Sequence, residues 1–376
     1  VSWNSVIGQT RVKNLLRNAV SSGTTAHAYL FIGAEGVGKD ALAIAFAKVL
    51  NCEQGKPEAC GRCQSCRWME SLQHPDVRLI FALKTGRNEK TGDDPIAALS
   101  EDAIEAVRSE VKAKAQDPYR RIEIPRANFI KVNSIRQIRR DVALAQSGSG
   151  RNIFLVLGAE RLNLEASNSL LKTLEEPPPN TVIMLTSAHP DQLLPTIISR
   201  CQIVDCDLLS ETEISETLNA RDGVEMSMAV MAAELSNGSY GVAREILSAD
   251  MHRYRDEVVA FMRSTLGSSH AKAAQEIEVL TTESDRLDLD RWLRTLQLWI
   301  RAAYVLREVG PESIGAFHKR EDLQSFLNRF PAANLVLAQE EVERSIALVR
   351  KNIYLPLVFL NLANNLRNAI RNTPNE

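Results

Sequence analysis

The stretch Ala28-Tyr-Leu-Phe-Ile32-Gly33-Ala-Glu-Gly36-Val-Gly38-Lys39-Asp40, running on into the helical stretch Ala41 to Leu50, decides how this chain folds. An apolar run of strand length meets a glycine-rich turn, and the turn opens a helix. In that context glycines let backbone N–H groups close around phosphate oxygens, and the lysine adds a cation at the helix start. Gly33, Gly36, Gly38 and Lys39 are therefore candidate phosphate-binding residues, with ATP or ADP as the ligand such a loop takes. The next position breaks the pattern: a Ser or Thr hydroxyl would ligate magnesium there, and this chain has Asp40. A carboxylate about 4 Å from a phosphate oxygen repels it by roughly 4 kcal/mol at an effective dielectric of about 20, so the sequence leaves the loop's occupancy open.

Outward from the loop, Ile153 to Leu157 and Val182 to Thr186 are further apolar runs of strand length, alternating with helical stretches. That alternation predicts an α/β domain with a parallel sheet over residues 1–207. From 208 to 252 only helical periodicity remains, as in Glu211 to Leu218 and Met226 to Leu235, with a break at Asn237-Gly238, which predicts a small helical domain. Residues 253–376 predict a third, all-α domain. Its long helical stretch Ala271 to Val309 lacks Gly and Pro and carries Leu289, Trp292, Leu296, Trp299 and Ala303 at spacings of three and four. A length of 376 residues suits two or three such domains. No internal repeat is visible.

Residues 84–128 interrupt the first domain with nine Lys or Arg and nine Asp or Glu, so their charges cancel. A polar opening, Thr85 to Asp94, leads to a predicted helix from Ser100 to Gln116 with apolar Ile104, Val107 and Val111. It reads as a solvated surface insertion, and its balanced charge argues against a nucleic-acid stripe.

The whole chain is 44% hydrophobic and 24% charged with a formal net charge of -2, which gives no overall pull toward DNA or membrane. No run approaches the roughly 18 apolar residues of a membrane span, and the start VSWNSVIGQTRVKN lacks a signal-peptide layout, so a cytoplasmic location is expected. Four of the six cysteines, Cys52, Cys60, Cys63 and Cys66, fall within fifteen residues. Four thiolates at such spacing surround one tetrahedral zinc with no open position, a structural site. Gly61-Arg62 and Arg67 supply too few cations for a DNA-reading finger. Cys201 and Cys206 read as buried small apolar residues. His27 and His74 read as packed or capping residues, and no Ser-His-Asp or Cys-His pairing is visible.

An ATPase built on this loop needs acidic residues at the end of a later strand. In Ile153-Phe-Leu-Val-Leu157-Gly158-Ala-Glu160 those positions hold Leu157 and Gly158, and Glu160 reads as a solvated acid at a helix start.

The runs His27-Ala-Tyr-Leu-Phe31, Ala166-Ser-Asn-Ser-Leu-Leu-Lys-Thr-Leu-Glu-Glu-Pro177 and Leu194-Pro-Thr-Ile-Ile-Ser-Arg-Cys-Gln202 resemble those of the bacterial DNA polymerase III clamp-loader family, gamma/tau and delta-prime, over about residues 3 to 245. The resemblance implies an AAA+ fold, a helical lid at 208–252 and an oligomerising collar at 253–376. It also implies the zinc module at 52–66. The gamma/tau members keep an intact phosphate loop, an acidic pair and an arginine near Gly238-Ser239-Tyr240. This chain has Asp40, Leu157 with Gly158, and Gly241, and so is similar to the delta-prime branch, which does not hydrolyse ATP. In the family the motif Ser199-Arg200-Cys201 sets its arginine at the ATP site of a neighbouring subunit. The partners implied are gamma/tau and delta subunits in a hetero-pentamer, with a sliding clamp and primed DNA reached through that complex. Two other functions stay in view: an active ATP-hydrolysing gamma/tau-type subunit, which hydrolysis by the isolated chain would reveal, and a zinc-dependent nucleic-acid-binding module, which would need salt-steep DNA affinity.

Overall fold

The computed structural model of the protein describes residues 2–86, 89–90, 92–144, 150–247, 249–267, 269–310, 319–349 and 353–371. Arg87, Asn88 and Thr91, in the polar opening of the 84–128 segment, lie outside the described residues. Two compact units emerge: Val1–Thr217 with Asn237–Val242, and Leu218–Ser236 with Ala243–Glu376.

In the first unit, α1 (Thr10–Ser21) precedes β1 (Ala28–Ile32), and α2 (Lys39–Leu50) and α3 (Gln64–Glu70) lead to β2 (Val77–Ile80). Next come α4 (Glu101–Gln116), α5 (Val132–Leu144), β3 (Asn152–Val156), α6 (Leu164–Glu175), β4 (Thr181–Ser187), α7 (Pro195–Ile198) and β5 (Gln202–Asp205). The strands form one parallel sheet in the order β2-β3-β4-β1-β5, with Phe31 facing Thr186 on one side and Val204 on the other. Every residue of β4 is buried, whereas the edge strand β5 is largely exposed. A central parallel strand is covered on both faces, which is why β1, β3 and β4 read as unbroken apolar runs. Because the strands are parallel, the loops after β1, β3, β4 and β5 gather at their carboxyl ends, where α/β sheets hold ligands.

The 84–128 segment departs from the expected solvated insertion. Leu99, Ala103, Val107, Ile122, Ile124 and Ala127 are buried in the core of this unit, and Ile104 and Val111 pack against it. The stripe on α4 faces the fold because it is apolar at helical spacing, and balanced charge on the other face leaves that burial unopposed. Ser100 caps α4 with extended backbone, its carbonyl accepting the Ile104 N–H at 2.9 Å.

The regular elements among the described residues from 218 onward are all helices: the end of α8 (Glu211–Asp222), α9 (Met226–Leu235), α10 (Tyr240–Ile246) beyond Val242, α11 (Ala249–Thr265), α12 (His270–Glu283), α13 (Arg286–Glu308), α14 (Arg320–Arg329), α15 (Leu335–Val349) and α16 (Leu355–Arg371). Leu289, Trp292, Leu296, Trp299 and Ala303 are all buried, as their spacing requires. Trp292 meets Phe261 of α11 edge-on at 4.9 Å and Phe359 of α16 at 5.7 Å. The stretch Ala271 to Val309 is two helices, not one. Ser284 turns extended, and the Asp285 carboxylate accepts the Asp288 N–H at 2.9 Å, an N-cap that starts α13 afresh. No helix among the described residues is long and apolar enough to cross a membrane.

Candidate functional site

The loop between β1 and α2 takes its shape from glycines. Gly38, the N-cap of α2, has φ +103, and a Cβ there would stand 2.8 Å from the Tyr119 hydroxyl oxygen. Gly36 touches Gly241: the Gly241 N–H donates to Gly36 O at 3.2 Å, and a Cβ on either glycine would lie 2.9 Å from the other's Cα. Ser239 donates to Glu35 O at 2.6 Å in the same region. An arginine at 241 would have no room in this arrangement, since its Cβ alone would collide with backbone.

Lys39 is buried and directed back into its own loop, donating to Gly33 O at 3.0 Å and Ala34 O at 2.7 Å. Burial pushes its ammonium pKa down, against the pull of Asp40, Cys206, Glu160 and Glu35. Asp40 has both oxygens engaged. Lys114 Nζ, from α4, lies 2.7 Å from Oδ2, and Thr186 Oγ1, from the end of β4, donates to Oδ1 at 2.8 Å. Thr186 Oγ1 in turn accepts the Gly158 N–H at 3.1 Å. Burial would raise the Asp40 pKa, but the Lys114 charge, bonds from Lys114 and Thr186, and the Lys39 charge outweigh it and hold the carboxyl below its ordinary value.

At the end of β3, Leu157 is buried and Gly158 follows, so neither of these two positions carries a carboxylate. Glu160 is not the solvated acid expected: its Oε2 is buried with no hydrogen bond. It contributes to the field around Lys39, Arg121 and Arg161. Arg121 itself pairs with Glu35 in the loop.

Arg200 stands apart from this cluster, on the turn between α7 and β5. Pro195 at the first helical position sets α7, Ile197 anchors it in the core, and the turn presents Arg200 at the surface with 36% of its side chain exposed. Its Nη1 donates to Thr196 O at 3.0 Å and its Nη2 to Glu175 Oε1 at 2.8 Å.

The four clustered cysteines come together. Their Sγ atoms all lie within 4.8 Å of one another, and Cys60 and Cys66 Sγ are 4.0 Å apart. Four sulfurs about 2.3 Å from a tetrahedral zinc are about 3.8 Å apart, so the donor set fits a structural zinc. The N–H groups of Cys60, Cys63 and Cys66 point at the sulfurs of Cys52, Cys60 and Cys63 at 3.3 to 3.4 Å, which favours thiolates. Backbone donors at Arg62 and Cys63 pull the Cys60 thiol down to about 6. Cys63 also caps α3, and Trp3 Nε1 donates to Pro57 O at 2.9 Å, tying the cysteine loop to the core.

Cys206 is buried and Cys201 packs against the core; burial pushes both thiols up to about 12. His74 is buried, accepting the Asp76 N–H at Nδ1 (3.1 Å) with Ser65 Oγ 2.8 Å from Nε2, whereas His27 is exposed just before β1.

The sheet order, the glycine loop and the cysteine cluster define an α/β phosphate-loop protein with a zinc module. A family model described as DNA polymerase III, delta subunit, matches residues 8–209, more than half of the chain. The chain belongs to that family of clamp-loader subunits. It is 29% identical over 238 residues to DNA polymerase III subunit delta' of Bacillus subtilis (strain 168), covering 63% of this chain and 59% of that one. To subunit delta' of Pseudomonas aeruginosa it is 30% identical over 243 residues, covering 64% and 62%. Subunit tau of Bacillus subtilis is 29% identical over 218 residues, covering 58% of this chain and 31% of that one. The match thus spans less than two thirds of the length of these relatives.

Sequence reasoning missed Lys114, Tyr119, Arg121, Glu175 and Thr186. One signal was available: Lys114 continues the stripe of Val107 and Val111 at helical spacing, where a lysine must either reach a buried partner or leave the stripe.

Proposed function

We propose that the chain is a non-hydrolysing, delta-prime-type subunit of a clamp loader, which helps load a sliding clamp onto primed DNA and supplies Arg200 to the ATP site of a neighbouring subunit. Its partners are gamma/tau and delta subunits in a hetero-pentamer. Residues 1–207 and the lid at 208–252 face that neighbour's site, and the helices of 253–376 form the collar. The observation that carries the reading is the contrast between two cations: Arg200 is presented at the surface on a braced turn, while Lys39 is spent on its own loop's carbonyls. A guanidinium delivered from outside neutralises charge on the transferring phosphoryl group and contributes about 10³ to 10⁵ in rate at that site. Leu157 and Gly158 in place of acids support the absence of hydrolysis in cis.

The test is ATPase activity of a complex reconstituted with gamma/tau and delta subunits, clamp and primed DNA. Arg200→Ala silences one site, so total turnover falls in part while assembly and zinc content hold. Lys39→Ala leaves turnover nearly unchanged. The reverse ranking of the two variants would overturn the reading and favour an active ATPase.

A further inference from the structure

The role of the 84–128 segment emerges from where its side chains end. A nucleotide in a loop of this kind has its magnesium on the side chain of the residue after the lysine, and its α- and β-phosphates on the loop and helix-start amides. In this chain the first place is taken and the helix start is covered. Lys114, 1% exposed, puts its ammonium 2.7 Å from the Asp40 carboxylate, where the cation would stand, and is held there by a second bond to Arg120 O at 2.6 Å. Thr186, at the end of β4, spends its hydroxyl on the same carboxylate. Tyr119 lies across the helix start. Its hydroxyl accepts the Ile7 N–H at 2.7 Å, its ring lies against Gly38, and it meets Tyr240 edge-on at 5.0 Å. Arg121 closes the row by pairing with Glu35 inside the loop.

We propose that the 84–128 segment is a resident internal occupant of the phosphate-loop pocket, with the Lys114 ammonium in place of the divalent cation and the Tyr119 side chain in the space beside Gly38 that a nucleoside would need. The pocket is thereby shut from within, and Asp40 is the counter-charge that holds the plug. This accounts for a carboxylate at a position where phosphate would otherwise be repelled: Asp40 has an ammonium as its ligand, not a phosphate. It also accounts for the burial of Lys114, which a solvated insertion would not require. Entry of a magnesium-bound nucleotide would need Tyr119 to swing out and the Lys114–Asp40 pair to separate together, whereas a magnesium-free nucleotide would need only Tyr119 to move.

The proposal goes beyond the assignment of Arg200 and is tested on the isolated chain, so neither outcome depends on that assignment. The probe is methylanthraniloyl-ATP with magnesium, titrated by fluorescence against wild type, Asp40→Thr, and the triple variant Asp40→Thr/Lys114→Met/Tyr119→Ala, with circular dichroism and zinc content reporting the fold. Wild type and Asp40→Thr are expected to show no saturable binding, and the triple variant to reach half-saturation at least tenfold below the highest probe concentration tested on Asp40→Thr. Saturable binding by wild type, equal binding by Asp40→Thr and the triple variant, or a folded triple variant that does not bind would each overturn the plug. Tyr119→Ala alone keeps the ion pair intact and covers the case in which the triple variant misfolds. Its affinity for magnesium-free ADP should exceed that of wild type at least tenfold, and an unchanged affinity would overturn the proposal.

Discussion

Arg200 and Glu175 are joined by a 2.8 Å bond from Nη2 to Oε1, so the last residue of α6 braces the turn that follows α7. Both side chains are partly exposed, 36% and 49%, and such a pair contributes about 1 kcal/mol or less to stability. Its consequence is orientation. The second guanidinium bond, to Thr196 O, fixes Arg200 only from its own turn, and Glu175 supplies the restraint from a different helix. If Arg200 acts as proposed at a neighbouring ATP site, Glu175→Ala should leave the melting temperature within about 4 °C of wild type while lowering that site's turnover by about tenfold, a loss of ~1.4 kcal/mol in the transition state. Glu175→Gln, which keeps an acceptor, should recover part of it. If both variants match wild type in turnover, Glu175 has no positioning role.

The zinc module offers a substitution that separates metal binding from helix capping. Cys63 Sγ both joins the sulfur cluster and accepts the Cys66 N–H at the start of α3. Serine is a good N-cap, so Cys63→Ser keeps the cap and removes a thiolate. Elemental analysis should give about one zinc per wild-type chain and far less in the variant. The cysteine loop should loosen, lowering stability by about 2 kcal/mol, or roughly 4–8 °C in melting temperature. Protein prepared without chelator that carried no metal would remove the assignment.

The legible parts of this chain were those in which neighbours in sequence act together. The run Ala28 to Ile32 and the loop after it form a strand, a turn and a helix start within thirteen residues, and the structure places β1 and α2 where that run ends and begins. The cysteine cluster was equally local. Long-range pairs were not legible: Lys114 meets Asp40 from 74 residues away, and Tyr119 meets Ile7 from 112. Equal numbers of acids and bases in 84–128 suggested solvation, but a charge count does not say which cation continues an apolar stripe. The break at Ser284-Asp285 contains no Gly or Pro, and its local mark is an Asp that accepts the N–H three residues on, an N-cap signal. Arg200 drew its reading from resemblance, because a partly exposed arginine on a turn carries no signal in its own chemistry.

The apolar stripe of α13 should carry much of the stability of the second unit. Trp292 is 1% exposed between Phe261 and Phe359, and its Nε1 is buried with no hydrogen bond. Trp292→Ala should cost about 3–5 kcal/mol. Trp292→Phe removes the unpaired N–H along with some volume, so its cost should be clearly smaller. Urea midpoints of the two variants decide the matter, and equal losses would mean that packing there is loose.

The Lys114–Asp40 pair gives the pH dependence its sign. Asp40's carboxyl is held below its ordinary value, so its contribution to stability is complete above the unfolded pKa of about 3.9 and is lost as pH falls through the lower folded value. Removing the ammonium reverses the balance. In Lys114→Met the carboxylate keeps its burial but loses its largest opposing charge, so its pKa should rise above the ordinary value, and the variant should be less stable than wild type by about 3 kcal/mol at pH 7. As pH falls through that raised pKa, Asp40 in the variant takes up a proton, and the gap between the two proteins should narrow, because wild type gains nothing from protonation. Adding Asp40→Asn to Lys114→Met removes the uncompensated charge and should recover more than half of the loss at pH 7, whereas Asp40→Asn alone strands a buried ammonium and should destabilise. Urea midpoints of the four proteins at pH 7 and pH 4 measure the coupling. A gap that stays constant between the two pH values would mean that Lys114 stabilises α4 by packing its stem alone and that Asp40 is not its electrostatic partner.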